Sequence, residues 1–210
     1  MDRLKKIGII PIDKEVLYSQ FDELKQPKDK ITDLEKKGLV IRIKRDLYVV
    51  SKKVHHLELS RELIANHLYS PSYVSLESAL AYHGLIPERV FSLRSVSLKT
   101  YKKYETPLGV FEYIKVPDRY FQVGIHQEIV NEAYCFLIAS PEKALCDLIV
   151  STRNLRIQSV SAIRTYLEED IRFDMDALTS FNTEIVRQCY ETGKKKTELL
   201  QLLNLLSDGK

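Results

Sequence analysis

A change of period inside residues 31–51, "ITDLEKKGLVIRIKRDLYVVS", constrains the fold more than any other feature of the chain. Up to Gly38 the apolar residues recur at helical spacing, with Ile31 and Leu34 on one face and Gly38 as the stop. From Val40 the pattern becomes two apolar runs, "VIRI" and "LYVV", around "KRD", which reads as a β-hairpin. Its turn needs φ > 0 at Asp46; glycine is the usual residue there, and aspartate tolerates that region better than most. A short helix leading straight into a basic hairpin is the layout of a winged helix-turn-helix.

The residues upstream extend this block. Residues 13–25 read as an amphipathic helix, with Leu17, Phe21 and Leu24 on one face and Asp13 as N-cap. Pro27 breaks that helix, and the next runs over about 28–37. Charge is unevenly spread. Residues 1–53 hold 14 Lys and Arg against 9 Asp and Glu, whereas the remainder holds 18 against 20. A polyanion would therefore be met at the N-terminal end. With Ile31 and Leu34 inward, Thr32, Asp33, Lys36 and Lys37 face out. The candidate DNA contacts are Lys28, Lys30, Thr32, Lys36 and Lys37 on the helix, with Arg42, Lys44 and Arg45 on the wing. The plainer alternative is a solvated charged surface. Asp29 and Asp33 oppose phosphate contact, unless one caps the helix or accepts from cytosine N4.

The expected fold class is α+β: an N-terminal winged helix-turn-helix over 1–53, a polar linker "SKKVHH", and a mixed α/β domain over 57–210. In the larger domain "LELSRELIANHLY" and "SPSYVSLESALAYHGLI" read as helices. Residues from about 93 to 139 are strand-rich, with antiparallel pairing expected, and 140–206 are helical. Ser140 and Pro141 open one of these helices as cap and first residue, and Ala144, Leu145, Leu148 and Ile149 form its inner face.

Other chemistry finds little support in the residues. Cys135, Cys146 and Cys189 are too few and too scattered for a disulfide framework or a zinc site, which fits a reducing, cytoplasmic setting. The N-terminal stretch lacks the apolar core of a signal peptide, and no apolar run approaches the ~20 residues of a membrane span. "DMD" at 174–176 has the spacing of a magnesium-binding carboxylate pair, but no Gly-Ser phosphate grip exists, and the motif reads better as a helix start. Pro117-Asp118 lacks a following Glu-x-Lys, and the terminal Asp-Gly-Lys is the only Asp-x-Lys. His55, His56, His67, His83 and His126 show no ligand spacing. The expectation is a non-enzyme with no catalytic residue, cofactor or metal. "YKKYETPLGVFEYIKVPDRYF" alternates aromatics with cations; it suits the packed face of a sheet, or less often a surface for single-stranded nucleic acid.

Four segments carry a resemblance to a known family: "ITDLEKKGLVIRIKRDLYVVS", "SYVSLESALAYHGLIPERV", "TPLGVFEYIKVP" and "IASPEKALCDLI". In order and spacing they resemble the AbiEi-type antitoxins of type IV abortive-infection toxin–antitoxin systems, especially Bacteroides-type members, over most of residues 10–150. The resemblance implies that the N-terminal winged helix binds double-stranded operator DNA of its own operon and represses it. It also implies that the larger domain counteracts an AbiEii-type nucleotidyltransferase toxin without a stable complex. The small core of such an N-terminal unit separately suggests a second copy on DNA, a dimer clamping two half-sites. The alternative from a different class is a plain DNA-binding regulator whose larger domain binds a ligand or another protein. A degenerate nuclease stands third.

Overall fold

The computed structural model describes residues 2–87 and 90–208. Glu88 and Arg89, at the end of one segment carrying the resemblance, lie outside the described residues, as do Gly209 and Lys210 of the terminal Asp-Gly-Lys. The architecture is mixed α+β, with two sheets and helices throughout.

The chain begins with α1 (Asp2–Ile7), β1 (Ile12–Asp13), α2 (Lys14–Ser19) and α3 (Pro27–Lys36). Then come β2 (Val40–Lys44), β3 (Leu47–Val50) and α4 (Lys52–His55). Pro27 occupies the first turn of α3, where its missing N–H costs nothing. The three strands pair antiparallel in the order β1-β3-β2. Leu4, Leu17, Ile31, Leu34, Val40, Tyr48, Val50 and Val54 form a core beneath them. Two expectations change here. The helix foreseen over 13–25 ends at Ser19, where i to i+3 turn bonds from the Phe21 and Leu24 amides to the Tyr18 and Phe21 carbonyls replace the helical ladder, and Leu24 is exposed. The stretch foreseen as a polar linker is structured instead: the Ser51 hydroxyl accepts from the Lys53 amide to cap α4, and Val54 is buried.

The β2–β3 hairpin has two buried faces. Tyr48 and Val50 point into the N-terminal core, while Leu47 and Val49, one residue out of phase, join the core of the remaining chain together with Ile43. The hairpin is thus shared between two cores.

The rest of the chain builds a six-stranded sheet. Its elements are α5 (Arg61–Leu68), β4 (Ser72–Val74), α6 (Leu76–Tyr82), β5 (Ser92–Ser97), β6 (Lys102–Thr106), β7 (Gly109–Lys115), α7 (Asp118–Phe121), β8 (Ile125–Val130) and β9 (Tyr134–Ala139). The strand order is β6-β7-β5-β4-β9-β8. The pairing is mixed rather than antiparallel throughout, since β5 runs parallel to β7 and β4 to β9. Residues 72–74, expected inside a helix, form β4; helix α6 starts only after Ser75. Helix α5 packs across β4, β5 and β9, and the Tyr113 hydroxyl donates to its Ala65 carbonyl.

The C-terminal part is helical, as expected. It comprises α8 (Pro141–Ser151), α9 (Val160–Thr165) running into a π turn (Tyr166–Asp170), a 3₁₀ turn (Met175–Ser180), α10 (Thr183–Thr192) and α11 (Lys196–Asp208). Ser140 caps α8, accepting from the Lys143 amide, with Pro141 at the first position.

Candidate nucleic-acid interface

Ile31 and Leu34 anchor α3 to the N-terminal core and turn the other face of the helix outward. Lys28, Thr32, Lys36 and Lys37 are exposed, and Lys30 and Asp33 are partly so. The Lys37 ammonium lies 2.8 Å from an Asp33 carboxylate oxygen one turn back. That ion pair holds the Asp33 carboxyl below its usual range and partly neutralises both groups. The Thr32 hydroxyl donates to the Lys28 carbonyl, so only its lone pairs face outward. Lys28, Lys30 and Lys36 form no ion pair among the described residues.

The hairpin brings Arg42 near this helix, leaves Arg45 at its tip and takes Lys44 elsewhere. Arg42 is exposed and stands 6.0 Å over the Tyr48 ring. Arg45 is 89% exposed at the tip, beside Asp46, which takes φ of 63° as the turn requires. Lys44 would follow Arg42 by alternation. A register shift between them re-aims it, and its ammonium donates to the Leu68 carbonyl of α5 at 2.5 Å. Burial, followed by the nearby Lys99 cation, lowers the Lys44 pKa. Lys44 is therefore a tie between the hairpin and α5, apart from the other candidate cations. Lys14, which sequence reasoning passed over, belongs with them. It lines a groove of about 400 Å³ with Tyr18, Lys28, Thr32, Arg42 and Tyr48, and with the acids Glu35 and Asp46; its ammonium lies 3.5 Å from Asp46 and 3.7 Å from Glu15, which offsets part of its charge. Its only sequence signal is its position directly after the helix cap Asp13.

The aromatic–cation segment forms a packed sheet face at its centre and a charged rim at its edge. Tyr69, Tyr104 and Tyr113 stack against one another at 5.1 to 6.0 Å between ring centroids. Tyr101 is 60% exposed, and Lys99, Lys102 and Lys103 are exposed beside it.

Residues of two segments that carry the resemblance meet in the interior. Lys143 and Asp147, one helical turn apart on α8, are fully buried with charged atoms 3.0 Å apart. The contact is electrostatic rather than an aligned hydrogen bond, since Asp147 Oδ1 has no hydrogen-bond donor. Asp147 Oδ2 accepts from Ser75 at 2.6 Å and from Tyr73 at 3.0 Å. Lys143 donates to the Tyr120 carbonyl at 2.8 Å and lies 3.2 Å over that ring. Tyr73 and Ser75 come from "SYVSLES", Lys143 and Asp147 from "PEKALCD". Glu142 of the same segment accepts from the Asn182 amide, fixing the entry to α10. Buried this deeply, these charges tie β4, α7, α8 and α10 together and meet no solvent.

The remaining candidates have local structural partners. Asp174 accepts from the Asp176 amide and opens the 3₁₀ turn. Asp118 opens α7 after Pro117. The His83 and His126 rings lie 5.9 Å apart, and among the described residues no group of three or more His, Cys, Asp or Glu side chains is placed to hold a metal ion. No helix among them is long and apolar enough to cross a membrane.

No protein-family model matches the chain, and no curated protein matches it.

Proposed function

We propose that this chain is a bifunctional antitoxin and transcriptional repressor whose N-terminal unit is a winged helix-turn-helix that binds operator DNA. The observation that carries the DNA-binding half is the exposed cationic set Lys28, Lys36, Arg42 and Arg45, placed on a helix and on the hairpin that follows it, with Lys28 and Arg42 lining one groove between the two. A helix with outward cations and a flanking hairpin suit a major groove and its bordering phosphates. The antitoxin half rests on the sequence resemblance. Two of its four segments interlock in the interior, where Tyr73 and Ser75 reach Asp147, a contact that accounts for stability and not for antitoxicity.

Two experiments test this reading. Binding to duplex DNA from upstream of the gene should fall steeply with salt, by about 0.9 log unit per log unit of salt for each phosphate neutralised. Lys36→Glu and Arg45→Glu should each weaken it without lowering the melting temperature, because both side chains are exposed. Binding that ignores salt, or none at low salt, overturns the DNA-binding half. Co-expression with a neighbouring nucleotidyltransferase gene, scored by growth, tests the other half; failure to restore growth overturns it.

A further inference from the structure

The cations of the hairpin continue onto the edge of the large sheet. Strand β2 packs beside β6, the edge strand of the six-stranded sheet. The Tyr104 ring of β6 lies 5.9 Å, centroid to centroid, from that of Tyr69 at the end of α5. Three ammonium groups surround this pair: Lys44 at 5.9 Å and Lys102 at 5.7 Å from the Tyr104 centroid, and Lys99 at 5.3 Å from that of Tyr69. None of the three forms an ion pair with a carboxylate among the described residues; Lys103 alone at this edge is paired, with Glu105 at 2.9 Å. Exposed Tyr101 precedes Lys102 in the chain, and exposed Arg45 follows Lys44 at the hairpin tip.

Of these cations Lys99 repels Lys44, and the ring faces offset that only in part. Burial is the main cause of the lowered Lys44 pKa, and the Lys99 cation adds to it. An anion of high charge density, running past both elements, relieves the crowding. A phosphodiester backbone has the repeat and the length to touch the hairpin tip and the β6 edge together, and Tyr101 adds a hydroxyl of the kind that donates to phosphate.

We propose that the DNA footprint extends beyond the N-terminal unit, and that Lys99, Lys102 and Tyr101 of the larger domain hold phosphates of the same duplex that Arg45 meets. This rests on the DNA-binding reading above. The larger domain then contributes to operator affinity directly, and a toxin or ligand acting on that edge would compete with DNA.

The test uses the full chain and two duplexes of about 40 base pairs, one from upstream of the gene and one of shuffled sequence, titrated by fluorescence anisotropy over a range of salt. The Lys99→Ala/Lys102→Ala variant should bind both duplexes more weakly. Its salt slope should be shallower by about 1.8, about 0.9 for each phosphate contact removed. Tyr101→Phe should weaken binding with little change of slope, since it removes a hydroxyl and no charge. Melting curves must match the wild type, as expected for exposed side chains. If the double variant binds with unchanged affinity and slope while Lys36→Glu binds weakly, the extended footprint is wrong and the N-terminal interface stands. If the wild type binds neither duplex, both fall.

Discussion

Lys143 and Asp147 show how far a single pair of residues can depart from the surface role their spacing suggests. A lysine and an aspartate four apart on a helix usually form a solvated pair of little worth. Here both are fully buried, and each has further polar partners. Removing one charge leaves the other stranded. Asp147→Asn should therefore destabilise the chain by about 3–5 kcal/mol, whereas replacing both partners with apolar residues of similar size should cost much less than two such losses. Urea titration of the three variants checks this, and a double variant as damaged as the two singles combined would contradict it. The neighbouring tyrosines add a pH dependence. Burial, chiefly, raises the pKa of Tyr73, Tyr113 and Tyr120 above the ordinary phenol value. A raised phenol pKa favours the neutral folded form, so its contribution is fully present below about pH 10, the unfolded value, and is lost as pH rises beyond it. Unfolding free energy should accordingly drop above about pH 10. A flat profile between pH 9 and 11.5 would show that these rings are not buried. The sequence revealed Ala144, Leu145, Leu148 and Ile149 as the inner face of α8. It could not reveal that α10 and α11 cover another side, because a periodic pattern reports one apolar stripe and not what charged residues meet across it.

At the scale of the element, the β2–β3 hairpin was the most legible part of the chain and also the one that held the least foreseeable detail. Two apolar runs around a polar turn fixed its position to within a residue, and Asp46 sits with φ of 63° as the turn demanded. Asp46→Gly should leave stability almost unchanged, and Asp46→Ala should cost about 1–2 kcal/mol, the penalty of a left-handed residue with an ordinary side chain. Equal melting temperatures for the two variants would mean that the turn does not need that backbone. The bulge between Arg42 and Lys44 left no trace in the residue pattern. It depends on the Leu68 carbonyl waiting 24 residues downstream, and without it Lys44 reads as one more outward cation. The same blindness explains residues 72–74. Three buried residues are too short a run to distinguish a strand from a helix by period, and only the neighbouring β5 and β9 make them β4.

For the molecule as a whole, the charge break near residue 53 and the polar "SKKVHH" segment suggested two units that fold apart, and the packing argues for coupling between them. Ile43, Leu47 and Val49 contribute to the core that also contains Ile64, Leu68 and Val96, while their neighbours Val40, Tyr48 and Val50 fill the N-terminal core. Neither core is complete without the hairpin, so loosening one should loosen the other. The full chain should melt in a single calorimetric transition whose van't Hoff and calorimetric enthalpies agree. Leu47→Ala, which opens space on the face toward the larger core, should lower that transition as one event by about 2–5 kcal/mol without splitting it. A fragment of residues 57–210 should keep its sheet but lose the apolar cover that Ile43, Leu47 and Val49 supply, and so self-associate more than the full chain in sedimentation experiments. Two separate transitions in the full chain, together with a monomeric and equally stable 57–210 fragment, would show that the hairpin belongs to the N-terminal unit alone.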